Sequence, residues 1–289
     1  MPELPEVETV KRGLSVLIVS KRVQSVTHDT SKSFPNSPTE VDTFLIGSTI
    51  TDIRRRAKVL LIDLSSEYTL VIHLKMTGQL VYRGEQVFGA GHPNDSLIGE
   101  LPDKSTRVII EFSDGSFLYF NDQRKFGWVK LYPTVEVPNI DFMQRVGPEP
   151  LEDDLTHDGF VERIRRRNGT TIKAALLDQT VIAGIGNIYA DEALWGAQIH
   201  PGCRVRDVSD AQLKLLLDEV RYVLKLSIEK GGSTDRNFVN AEGKRGSYID
   251  FARVFRREGQ TCPRHPSVVI EKSRVAGRGT HICPVCQVE

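Results

Sequence analysis

The sequence predicts an α+β protein, an N-terminal antiparallel β-sandwich with a flanking helix followed by a helical domain and a small terminal module. Three observations predict it. From about 23 to 132 the apolar residues fall in short β-rich runs with turn residues such as Asp114-Gly115 between some of them. From 158 to 228 they recur at helical spacing, and three of the four cysteines fall in the last 28 residues.

Taken in order, Val7, Val10, Leu14, Leu17 and Ile18 predict a first helix, and Pro5 suits its first turn, where a missing N–H costs nothing. Strands are expected at 49–53, 59–64, 69–73, 80–82, 108–112, 117–120 and 128–131. The stretch 84–105 has little periodicity and reads as a long connection. After Gly147-Pro148-Glu149-Pro150 come helices expected at 158–167 and 172–179, a glycine-bearing turn at 180–186, and a helix at 187–195, a helix-turn-helix arrangement of the kind that meets DNA. A longer helix starts at Ser209, with Gln212 completing a capping box, and runs to Gly231-Gly232. The expected domains are 1–134, 135–247 and 248–289.

Composition narrows the function classes. The 289 residues are 39% hydrophobic and 26% charged, as in a water-soluble chain, and contain no run of 18 apolar residues. With acidic residues where a secretory leader would be basic, a cytoplasmic location is expected. Lys plus Arg equals Asp plus Glu at 38 each, so net charge says nothing about a polyanionic partner, but from Lys244 to Arg278 nine basic residues face three acidic ones. That excess suits either a solvated face or phosphate contact.

Two clusters carry chemistry. If Met1 is trimmed, Pro2 becomes a secondary amine with a pKa of about 7.7–8.0, partly unprotonated at neutral pH. Such an amine forms a Schiff base with an aldehyde-like carbon, and Glu3 could deliver the proton that opens a sugar ring. Alone, Pro2 would signal no more than methionine removal; the rest of the chain reverses that reading. The second cluster is Cys262-Pro263-Arg264-His265, 17 residues, then Cys283-Pro284-Val285-Cys286. Each short knuckle aims two ligands at one point, the pattern of a structural, tetrahedral Zn²⁺ on Cys262, His265, Cys283 and Cys286, with His281 a rival fourth ligand. Between the knuckles Ala276-Gly277-Arg278-Gly279-Thr280 reads as a tight hairpin with arginine at its tip.

The opening Pro2-Glu3-Leu4-Pro5-Glu6-Val7-Glu8-Thr9-Val10, with Arg56-Ala57-Lys58, His73-Leu74-Lys75-Met76, Arg124-Lys125-Phe126-Gly127, Gly147-Pro148-Glu149-Pro150, Gly184-Ile185-Gly186-Asn187-Ile188-Tyr189, Gly231-Gly232-Ser233-Thr234 and Val275-Ala276-Gly277-Arg278-Gly279-Thr280-His281, resembles the bacterial formamidopyrimidine-DNA glycosylases almost end to end. The resemblance implies a base-excision repair enzyme with a helix-two-turn-helix and a zinc-finger β-hairpin, acting as a monomer on damaged double-stranded DNA. It implies removal of 8-oxoguanine and formamidopyrimidines, with Pro2 as nucleophile and Glu3 as proton donor. β,δ-elimination of the abasic strand would follow. Arg278 and Asn187 would grip the phosphates flanking the lesion, assisted by Lys58 and His73, with Lys58 and Arg278 counted in the catalytic set. Met76, Arg124 and Phe126 would fill the stack vacated by the extruded base.

By the same resemblance, Glu6 and the 231–247 loop, through Gly231, Ser233, Thr234, Arg236 and Phe238, would read that base. The chain departs from the family at three places: Ser105-Thr106-Arg107 replaces a histidine pair, Thr77 stands where Glu or Ser is usual, and His265 replaces a cysteine in a span one residue longer. Two other readings remain: an endonuclease VIII-like enzyme acting on oxidised pyrimidines, and a DNA-binding protein without turnover, since a retained Met1 would block the amine.

Overall fold

The computed structural model describes residues 2–92, 94–233 and 248–288. They form two compact units, one of 2–144 with 230–233 and the other of 145–229 with 248–288. Relative to the expected segments, 135–144 thus goes with the sandwich and 248–288 with the helices.

The first unit runs α1 (Leu4–Ile18), β1 (Val23–His28), α2 (Pro38–Phe44), β2 (Ile50–Arg56), β3 (Val59–Leu64), β4 (Tyr68–His73), β5 (Gly78–Arg83), β6 (Val87–Gly91), β7 (Thr106–Phe112), β8 (Phe117–Asp122) and β9 (Trp128–Pro133), and α3 (Asp141–Arg145) begins at its end. The strands make two antiparallel sheets, β1-β7-β8-β5-β6 and β2-β3-β4-β9. Side chains at every second position, such as Leu60, Ile62 and Leu64 on one sheet and Leu80, Tyr82, Leu118 and Phe120 on the other, build one core with Val7, Val10 and Leu14 of α1. The other face of the four-stranded sheet is apolar too, and Val137, Ile140, Phe142 and Met143 cover it.

The stretch read as an aperiodic connection contains β6, which pairs with β5 along its length. Its Gly89-Ala90-Gly91 carries little pattern, but Phe88 seats on α1 at Gly13, where an added Cβ would lie 2.2 Å from the ring. The strand β1 and the short helix α2 were likewise not individually expected; α2 is set by a Ser37/Glu40 capping box. Ser105-Thr106-Arg107 opens β7, and Arg107 turns inward to pair with Asp29 at 2.8 Å and to donate to the Asp122 carbonyl at 2.8 Å.

The second unit contains α4 (His157–Arg165), α5 (Ile172–Leu177), α6 (Asn187–Gly196), α7 (Asp210–Glu229), β10 (Glu271–Val275) and β11 (Arg278–Ile282). Ser209 and Gln212 form the capping box of α7, with Gln212 N donating to Ser209 Oγ at 3.2 Å and Ser209 N to Gln212 Oε1 at 3.1 Å. The turn between α5 and α6 is knitted by Gln179, which donates to the Ile185 carbonyl at 2.8 Å and accepts Gly184 N–H at 3.0 Å. Gly147 lies against it so closely that a Cβ there would be 2.8 Å from the Thr180 carbonyl oxygen. No helix among the described residues is long and apolar enough to cross a membrane.

Candidate active site

Pro2 and Glu3 are buried and lead directly into α1. Glu3 is its N-cap, in extended backbone, and forms a capping box with Glu6 in which each side chain accepts the other's backbone N–H, Glu3 N reaching Glu6 Oε2 at 2.8 Å. The other Glu6 oxygen accepts Ser233 N–H at 2.7 Å. Gly231 and Gly232 reach this contact in left-handed backbone, φ +77° and +91°, which glycine adopts without Cβ strain. Glu6 is thus buried, with both carboxylate oxygens bonded. It fastens the chain end to 231–233, while Thr234, Arg236 and Phe238 lie outside the described residues.

An ion network centred on the buried Glu8 holds the same helix against β2. Glu8 bonds Arg55 at 3.0 Å, Arg12 at 3.0 Å and Lys11 at 3.2 Å. Burial opposes its ionisation, yet the Arg12 and Arg55 hydrogen bonds hold its carboxyl below the ordinary range.

Lys58 and His73 meet where β3 starts and β4 ends, both more than nine-tenths buried. His73 Nδ1 accepts Lys75 N–H at 3.1 Å, which places the ring proton on Nε2. Burial, then the charges of Lys75 and Lys58, push its pKa from 6.5 down to about 3, so the imidazole is a neutral donor at physiological pH. Just beyond, Met76 is 36% and Phe126 47% exposed, and the Arg124 guanidinium stacks 4.9 Å from the Phe126 ring centroid. Large apolar groups held out on polar loops are not core packing, and mark a surface for contact.

In the second unit Asn187 opens α6 and its Nδ2 donates to the Gly279 carbonyl at 3.0 Å. The hairpin turn is Ala276-Gly277, φ +50° and +73°, the two-residue geometry that requires left-handed backbone at both positions. Arg278 is consequently not at the tip. It is the first residue of β11, exposed, opposite Val275. Beneath it lies a network that the apolar patterns do not reveal. Lys173 of α5, fully buried, reaches Asp191 Oδ1 at 2.6 Å, Thr280 Oγ1 at 2.8 Å and the Gly279 carbonyl at 3.0 Å. Asp191 Oδ2 accepts the His281 backbone N–H at 3.0 Å and faces its ring at 3.1 Å.

The four residues Cys262, His265, Cys283 and Cys286 converge, with ligand atoms all within 4.8 Å of one another, and could hold a metal ion. His281 is not among them, because its ring stands between Asp191 and Glu258. The cluster is embedded in apolar contacts with Trp195, Val254 and Ile270.

Family models match twice: the formamidopyrimidine-DNA glycosylase N-terminal domain over residues 1–129, and the formamidopyrimidine-DNA glycosylase H2TH domain over 146–239. The formamidopyrimidine-DNA glycosylase of Pediococcus pentosaceus is 41% identical over 288 residues, covering 100% of this chain and 99% of that one. The chain belongs to the formamidopyrimidine-DNA glycosylase family. Family structures of the same architecture include a complex between the Lactococcus lactis Fpg and an abasic site containing DNA, with TM-score 0.87, 33% identity, and 99% of this chain and 100% of that one covered. A mutant of that protein in complex with a Fapy-dG containing DNA has TM-score 0.87 and 33% identity, covering 100% of both chains.

Two buried acids of the second unit are not marked by any motif of the sequence. Asp191 and Glu192 are adjacent, fully buried acids in an otherwise apolar stretch of α6. Glu192 accepts the backbone N–H groups of Arg253, Val254 and Phe255, each at 2.8 Å. Paired acids in so apolar a helix were the available signal, since buried carboxylates demand donors.

Proposed function

We propose that this family member excises oxidised purines such as 8-oxoguanine and formamidopyrimidines from duplex DNA and then cleaves the abasic strand. The observation that carries the reading is the Pro2-Glu3 pair, buried at the head of α1 and held there by the Glu3/Glu6 capping box. A chain end is ordinarily mobile; fixing it turns an amine into a positioned nucleophile.

With Met1 removed, the Pro2 nitrogen attacks the sugar C1′ while Glu3 protonates the ring oxygen. The base leaves with the C1′–N bond electrons and a proton, and the remaining iminium makes the C2′ proton acidic. Its loss expels the 3′ phosphate, and a second elimination expels the 5′ phosphate. Lys58, Asn187 and Arg278, with His73 as a neutral N–H donor, hold backbone phosphates, which positions DNA without reading sequence. Met76, Arg124 and Phe126 occupy the stack left by the extruded base, and Glu6 with Gly231 and Ser233 faces that base.

Zinc fits the four-residue cluster. Tetrahedral zinc, with bonds of about 2.3 Å to sulfur and 2.0 Å to nitrogen, spaces its ligands about 3.5–3.8 Å apart. Here Cys262 Sγ and Cys286 Sγ are 3.7 Å apart, at that spacing, while His265 Nδ1, 3.1 Å from Cys286 Sγ, lies closer than zinc would set it and would move outward by a few tenths of an ångström on binding. Bound zinc would supply folding energy, with no part in the bond-breaking steps.

Borohydride tests the chemistry, because an imine on Pro2 is reducible. Added during turnover, it should join the protein to the damaged strand with the crosslink mapping to Pro2. Glu3→Gln should lose base excision yet still cut a pre-made abasic site. No crosslink from protein with a processed terminus, on either DNA, would leave a binding protein without turnover.

A further inference from the structure

Asp122 is the last residue of β8 and has no solvent exposure; its backbone carbonyl takes the Arg107 donor, and its side chain turns the other way. Its carboxylate is filled by two loops. Oδ2 accepts the backbone N–H groups of Phe126 at 2.8 Å and Gly127 at 2.6 Å, and Oδ1 accepts that of Arg124 at 3.2 Å and the hydroxyl of Thr77. Thr77 Oγ1 also accepts Arg124 N–H at 3.1 Å. The backbone that carries the carboxylate is itself anchored, since Gly78 pairs with Asp122 in the sheet and Asp122 N donates to the Ser105 carbonyl at 2.8 Å.

Both loops are bent in ways that need an external hold. Lys75 and Lys125 sit in left-handed backbone, φ +52° and +56°, a conformation unfavourable for residues with a Cβ. At Gly127 a side chain would meet Phe120 at 2.7 Å and the Asp122 carboxylate at 3.1 Å, so the backbone closes directly onto the acid. What these loops hold out is Met76 on one and Arg124 and Phe126 on the other.

We propose that Asp122 is a positioning residue that makes Met76, Arg124 and Phe126 one preset wedge, with the Thr77 hydroxyl coupling the two loops. This rests on the reading above that those three side chains fill the vacated stack. Inserting separately mobile loops would cost ordering entropy during base extrusion, and the shared carboxylate removes that cost beforehand.

The probe is a duplex carrying a tetrahydrofuran abasic analogue with 2-aminopurine as the neighbouring base, whose fluorescence rises when stacking is broken. Stopped-flow should show insertion by Thr77→Val slowed roughly ten- to a hundredfold, the loss of one hydrogen bond to a charged acceptor. Thr77→Ser, which keeps the hydroxyl, should return to within about twofold on the same scale. Asp122→Asn should be slower still, and a thermal melt matching the wild type assigns the change to insertion and not to unfolding. A Thr77→Val variant that inserts at the wild-type rate, beside a Phe126→Ala variant that loses the signal, overturns the coupling and leaves the wedge. Absence of signal from the wild type overturns the wedge, and this proposal with it.

Discussion

In the first unit the loops bearing Met76 and Phe126 stand on two sheets with apolar facing sides, and one carboxylate fastens them. In the second unit the hairpin bearing Arg278 has almost no apolar foundation. Four of the five residues of β10 are exposed, and β11 is buried only over Thr280–Ile282, written into the structure by Lys173, Asp191 and the ligand cluster. The difference teaches what size imposes. A sandwich buries enough surface to hold its loops with few polar contacts, whereas a two-stranded hairpin cannot, and substitutes buried charge and metal-ligand convergence. Such substitutes are unforgiving, because a buried charge that loses its partner is worse than no charge.

The contrast breaks most completely at the ligand cluster. Chelation, or His265→Ala, should release about one zinc per chain and abolish amide-exchange protection across β10 and β11 while β3 and β4 keep theirs. Structural zinc contributes about 10–16 kcal/mol in zinc-finger peptides, so this is the largest effect expected. Lost protection in the sandwich would show that the two units do not stand on separate supports.

Next in size is the buried pair. Asp191→Ala removes the carboxylate 2.6 Å from the buried Lys173 Nζ, and should cost about 3–5 kcal/mol in urea unfolding of the second unit. Replacing both, Lys173→Met with Asp191→Leu, should recover much of that while still loosening Gly279 and Thr280. If the single variant costs no more than a surface change, the hairpin is not held by this pair.

The smallest effect sharpens the sandwich side. Unfolded, the His73 ring takes its proton near pH 6.5; folded, burial and the Lys75 and Lys58 charges delay it to about 3. Between these values the unfolded chain binds the extra proton, so stability falls as pH drops through that window, by up to about 1.4 kcal/mol per pH unit. His73→Gln should flatten the slope from pH 6 to 4 in denaturant titrations. An unchanged slope would mean that His73 protonates freely in the folded protein.

Much of the plan was legible in the chain. Helix α1 showed in Val7, Val10 and Leu14, α7 in its Ser209/Gln212 box, and seven of the strands in short β-rich runs, because periodicity, composition and caps are properties of neighbouring residues. The knuckles Cys262-Pro263-Arg264-His265 and Cys283-Pro284-Val285-Cys286 were legible for the same reason. Strand β6 was not, since Gly89-Ala90-Gly91 has no pattern until Phe88 meets Gly13, 75 positions earlier in the chain.

By itself, then, the sequence determined the family, the two kinds of architecture, the buried head of α1 and the candidate ligands. The tertiary structure alone decided that His265 and not His281 joins the cysteines, that Arg278 begins a strand instead of capping a turn, and that Asp122, Lys173 and Asp191 are buried. Apolar residues announce their burial by spacing, because water repels them wherever they lie. A buried polar residue is fixed only by the partner that satisfies it, and Thr77 lies 45 positions from Asp122, Thr280 107 from Lys173.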